Sequence, residues 1–178
     1  IVGMAVVAAA VLLHANHLAP DDLMPVSFSV DTSHQHLLVN YIFQNARFPD
    51  DVHYLYIYDD YPVAPSALAA FSARSLGLLP AQTMYPLAAL LVAAQFTLAY
   101  GVISELLPKR PISHLLATMA SLTALLPYQY SIHVFTERFY SNMIMGDLLV
   151  LLSLWVVTVR DRLHPAFVAG VAALLTLG

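Results

Sequence analysis

Residues 84–107, MYPLAALLVAAQFTLAYGVISELL, are apolar almost throughout, with Glu105 as the single charge. A helix rises about 1.5 Å per residue, so about 20 such residues cross the roughly 30 Å of hydrocarbon in a bilayer. Similar runs recur at residues 1–18, 112–130, 143–159 and 165–178. In lipid a chain satisfies its backbone internally, and helices of this length do so within each segment. The pattern predicts an all-α fold, a polytopic transmembrane helix bundle, with residues 1–178 as part of one transmembrane domain. Pro127 is expected to kink or end the third run, because it lacks an N–H and clashes with the preceding turn.

Composition agrees. The chain is 60% hydrophobic and 10% charged, with a mean hydropathy of +0.72. A soluble domain is about 45–50% apolar and about 25% charged. The net charge of −4 and the scattered Lys and Arg leave no basic stripe, so no nucleic-acid partner is expected. The absence of cysteine excludes a disulfide framework and a thiolate metal site. The sequence opens and closes inside apolar runs, which leads us to expect an N-terminal fragment of a longer protein.

Charge in the short connections sets the orientation. Residues 107–112, LPKRPI, and 160–165, RDRLHP, hold Lys109, Arg110, Arg160 and Arg162, four of the seven basic residues. The positive-inside rule places both loops in the cytoplasm. Residues 19–83 and 128–142 then lie on the non-cytoplasmic side. The first of these holds seven of the eleven acidic residues: Asp21, Asp22, Asp31, Asp50, Asp51, Asp59 and Asp60. Within it, residues 31–46 read as an amphipathic juxtamembrane helix. Asp31 or Ser33 is the expected cap, Leu37, Leu38, Tyr41 and Ile42 the apolar stripe, and Pro49 the stop. A tyrosine-rich stretch follows at interfacial depth, and residues 65–76 read as a second short helix between Pro65 and Gly77.

Asp31 and His34 are three apart, so a helix places them on one face. A carboxylate at a helix start is held by backbone N–H groups, and with an adjacent imidazole it suits either a general base with its orienting partner or two metal ligands. Asp is equally a favoured helix cap without any catalytic part.

The order Asp31-Thr32-Ser33-His34, Arg47-Phe48-Pro49, Tyr61-Pro62 and Leu76-Gly77-Leu78 after an apolar first run resembles the first external loop of GT-C-type membrane glycosyltransferases. The resemblance covers roughly residues 1–105. It implies a GT-C-like bundle whose long external loop carries short juxtamembrane helices. It further implies an enzyme that moves a sugar from a polyprenyl-phosphate donor to an acceptor on the outer face, with inversion. The setting is a multi-pass protein of a bacterial or archaeal plasma membrane. In that family a carboxylate at the end of the first span commonly acts as the general base, sometimes with a divalent cation nearby. Asp31 matches it by position, and Asp21 and Asp22 compete because they lie nearer the end of that span. Asp31 is followed by Thr32, so the paired acids of some subfamilies are not reproduced.

Other candidates lie in the same external segments. Arg138, beside Glu137, could hold the donor phosphate through a charge-assisted bond, or the two could form a local ion pair. Asp59 and Asp60 could bind the acceptor or a cation, or form a solvated turn before Tyr61-Pro62. The alternative function is a transporter or flippase-like protein, or a non-catalytic member of the same fold. A transporter should carry ionisable residues or broken helices near the bilayer midplane. Here Gln95 and Ser121 are among the few polar residues in the runs, and the polar groups gather at one interface.

Overall fold

The computed structural model describes residues 30–49, 63–125 and 141–177, and every regular element among them is helical. In chain order these are α1 (Val30–Asn45), α2 (Ala64–Leu76), α3 (Pro80–Leu106), α4 (Pro111–Leu125), α5 (Ser141–Val159), a 3-10 turn at Arg160–Arg162, and α6 (Pro165–Leu177). The run at residues 1–18, Pro127, and the loops carrying Asp21, Asp22, Asp59, Asp60, Glu137 and Arg138 lie outside the described residues.

Two stretches, Pro80–Leu106 and Met143–Arg162, are long and apolar enough to cross a membrane. By their described lengths α4 and α6, with 15 and 13 residues, reach only about 20 Å. Among the described residues, two of the expected spans therefore qualify on length and composition. Both turn large apolar side chains outward: Leu90 on α3, and Val150, Leu154 and Val157 on α5, are exposed. Contiguous apolar surface of this kind is what lipid or a protein partner covers.

The helix ends follow local chemistry. At α2, Pro65 supplies a fixed φ where a missing N–H costs nothing. Gly77 adopts the left-handed conformation at φ 66° that stops the helix, and Leu78 N–H returns to the Ala73 carbonyl at 2.9 Å. α3 starts on Pro80, and the Gln82 side chain accepts the Leu79 N–H at 2.9 Å. α1 keeps its expected bounds to within one residue, but its ends are made differently. It is already helical at Val30, so Asp31 is its second residue, and Asp31 and Ser33 lie within the first turn rather than capping it. It stops at Asn45, ahead of Pro49, because Ala46 turns to φ 52° while its N–H still bonds the Ile42 carbonyl. Left-handed backbone costs a residue with a Cβ roughly 1 kcal/mol, so this stop carries none of the usual glycine signal.

Helix α1 buries Leu38 and Ile42 of the stripe read from its sequence and packs Tyr41 partly against the core, but the face is rotated to take in Gln35 and Val39. Its buried side chains are Gln35, Leu38, Val39 and Ile42, whereas Leu37 points outward. That face packs on α2 and on the first half of α3, against Ala69, Ala70, Tyr85, Ala88 and Val92, with Ile144 of α5 in the same cluster. Alanines at the α2 and α3 contacts let the backbones approach closely. Helix α4 likewise buries Ser113, Ala117 and Ser121, one residue per turn and all small, and packs on α3.

The largest interface joins α3 and α5. Three contacts run down it in the same order along both helices, so the two are parallel. Gln95 Nε2 donates to the Ile144 carbonyl at 2.6 Å, Gly101 lies against the Trp155 indole, and Arg162 Nη1 meets the Glu105 carboxylate at 3.0 Å. Gln95 is fully buried, and its Oε1 finds no donor among the described residues.

Candidate functional site

Two chemically distinct ends result. At one end Glu105 receives Lys109 Nζ and Arg162 Nη1, each at 3.0 Å, which ties the loop before α4 to the loop before α6. The two basic loops therefore share one end of the helix bundle, as an orientation by positive charge requires. These ion pairs are exposed and add little to stability; what they fix is geometry.

Toward the other end, α1 and α2 lie along the first half of α3 and leave a shallow, open cleft with room for about one water molecule. Gln35 and Val39 of α1, Pro65, Ser66 and Ala69 of α2, and Met84, Leu87, Ala88 and Leu91 of α3 line it. The cleft is mostly apolar. Its polar feature is the hydrogen bond from Ser66 Oγ to Gln35 Oε1, at 2.8 Å, with both residues only 1% exposed. A buried hydroxyl and a buried amide each need a partner, and here they join α1 to α2 across 31 positions of sequence. Sequence reasoning missed this pair. Gln35 sits between His34 and His36, and nothing local marks Ser66 as its partner.

Of the predicted site residues, Asp31 and His34 fall on described backbone. Position 31 lies one helical turn ahead of Gln35, in register with the face that α1 turns toward α2 and α3. His34 is half-buried beside that face. His36 is half-buried too, with Asn40 Nδ2 3.4 Å from its ring, and desolvation holds its imidazole below the usual histidine range. Among the described residues no three His, Asp or Glu side chains converge as a metal site would need. The structure does not bring Glu137, Arg138, Asp59 or Asp60 to this cleft or away from it, since all four lie outside the described residues.

Comparison of the chain with protein-family models, with curated proteins and with solved structures returns no match.

Proposed function

We propose that the protein is a membrane glycosyltransferase that takes its sugar from a polyprenyl-phosphate donor at the non-cytoplasmic face, with the α1–α2 cleft as part of its substrate site. One observation carries the reading: the depth of the cleft along α3. With Glu105 and Lys109 at one interface, about 20 residues back along the helix reach Tyr85. The cleft-lining residues Met84, Leu87, Ala88 and Leu91 then sit at and just inside the opposite boundary of the hydrocarbon. A cleft at that level, largely apolar with a polar pair in its wall, suits a substrate whose chain stays in lipid and whose headgroup reaches water. Asp31 stands one turn beyond that polar pair.

The proposed step is a single displacement. The acceptor hydroxyl oxygen attacks the anomeric carbon, the bond from that carbon to the phosphate oxygen breaks, and polyprenyl phosphate leaves. Asp31 takes the hydroxyl proton as the new bond forms, and His34, one turn on, positions the carboxylate. Arg138 remains the candidate for the donor phosphate, with Glu137 beside it, and Asp59 and Asp60 for the acceptor. The transport reading looks instead to polar groups in mid-span. Gln95 is such a group, and its bond to Ile144 gives it a helix-joining part.

The direct experiment supplies labelled polyprenyl-phosphate sugars to the intact protein in nanodiscs and follows the label to an acceptor. Label on the acceptor with inverted configuration is the expected result. Label that stays on the lipid but crosses the bilayer would replace the transferase with a flippase. Orientation is tested separately, because the chain has no cysteine. Single cysteines at Ser33 and Ser75, both exposed, should react with an impermeant maleimide in intact cells, and one at Asp161, 91% exposed at the basic end, should not. Labelling of position 161 without permeabilisation would invert the topology.

A further inference from the structure

We propose that the basic end of the helix bundle holds the phosphodiester of an anionic glycerophospholipid in the leaflet that it faces, through Arg110 and His114. This inference does not depend on the sugar-transfer reading.

The argument starts from the ion pairs already described. Glu105 occupies Lys109 and Arg162, and Asp161 lies 3.4 Å from Arg160. Among the described residues Arg110 has no carboxylate within salt-bridge distance, although it stands in the same loop as Lys109. His114 follows four residues later in the first turn of α4, about 6 Å further in.

The second observation is what His114 does there. The Tyr100 hydroxyl lies 2.8 Å from His114 Nδ1, their rings are stacked 25° from parallel, and this pair spans α3 and α4 on the exposed surface. In the tautomer protonated on Nε2 the Tyr100 hydroxyl donates to Nδ1, and the Nε2–H is the donor left for a ligand. A hydroxyl and an imidazole on an outward surface just inside a charged loop lie at headgroup depth, where aromatic rings with polar tips are favoured. Beyond them, Leu115, Met119 and Leu122 continue along exposed α4 as an apolar surface for acyl chains. A cation, an N–H donor one turn deeper and an apolar stripe beyond match the order of a phospholipid from headgroup to tail. Arg110, with no carboxylate beside it among the described residues, favours a phosphodiester that no ammonium of the same headgroup balances, which selects an anionic lipid over phosphatidylcholine.

The test uses the purified full chain in nanodiscs, with native mass spectrometry reading bound phosphatidylglycerol against phosphatidylcholine. The expected preference for phosphatidylglycerol is on the order of 5- to 30-fold, the size of one or two charge-assisted bonds at a partly exposed site. Arg110→Gln and His114→Ala should each bring it close to equality. Arg160→Gln removes the same charge from a cation already beside Asp161 and should leave most of the preference. Tyr100→Phe keeps the ring and loses the hydroxyl that orients His114, so it should lower the preference even if His114→Ala proves unstable. No preference in the wild-type chain, or an equal loss in Arg160→Gln and Arg110→Gln, would overturn the site in favour of diffuse attraction to the leaflet. Full competition by inorganic phosphate in detergent would overturn the lipid as its occupant.

Discussion

Asp31→Asn should lower sugar transfer by roughly 10²–10⁴-fold, the range that positioned proton transfer contributes, while the protein remains folded. The substitution is nearly isosteric, so the loss of charge is its main change. Asp31 is the second residue of α1, where Asn forfeits the attraction between a carboxylate and the positive end of the helix dipole. That term is typically about 0.3–1 kcal/mol. For a chain of this size it lowers Tm by only a few degrees. A large loss of turnover with a small change in Tm is therefore the signature of a base, and His34→Ala, which removes only a positioning group, should cost less. Wild-type turnover in Asp31→Asn would exclude this carboxylate and move the search to Asp21 and Asp22.

The same residue illustrates what the sequence could and could not reveal. The length of the apolar runs located α3 and α5, and Pro65 and Gly77 located α2, to within a few positions, because those signals are local. The bounds of α1 were legible to within one residue, but the residue that makes its stop was not. That stop is a left-handed alanine, which composition does not announce. Leu38 and Ile42 were placed correctly on its buried face, but one edge of that face was misread. Leu37 looks like core by hydropathy, but the face that packs includes Gln35, and a buried glutamine becomes tolerable only when Ser66 is there to donate to it. Gln95 was visible as a polar residue in an apolar run, yet its partner is the backbone of Ile144, 49 positions away. Pairings of this length leave no trace in a single sequence. Charge was more informative than hydropathy about the far end, since the two basic loops assigned to one side of the membrane meet at Glu105.

The parallel α3–α5 interface yields the largest expected change in stability. A Cβ at Gly101 would lie 3.0 Å from Trp155 Cδ1 and 3.1 Å from Nε1, so the helices meet here without room for a side chain. Gly101→Ala sets two effects against each other. Alanine gains roughly 0.8–1 kcal/mol of helix propensity over glycine, and a small shift of the indole offsets it, so Tm should change little. Gly101→Leu has no such escape, because its branched end must enter the volume of a rigid ring. Overpacking of this kind costs about 1–3 kcal/mol, and Tm in detergent should fall by roughly 3–10 °C. If the clash is with Trp155, Trp155→Ala in the Gly101→Leu background should recover part of the loss, with a coupling of about 0.5–3 kcal/mol. The effect should also reach the basic end. Arg162 meets Glu105 about one turn below Gly101, so forcing α3 and α5 apart lengthens that ion pair and loosens the tie between the two loops. Gly101→Leu should then make a cysteine at position 161 react faster with maleimide in opened membranes than it does in the wild-type background. An unchanged Tm in Gly101→Leu would mean that α3 and α5 do not meet at Gly101 and Trp155, and the shared basic end would lose its structural basis.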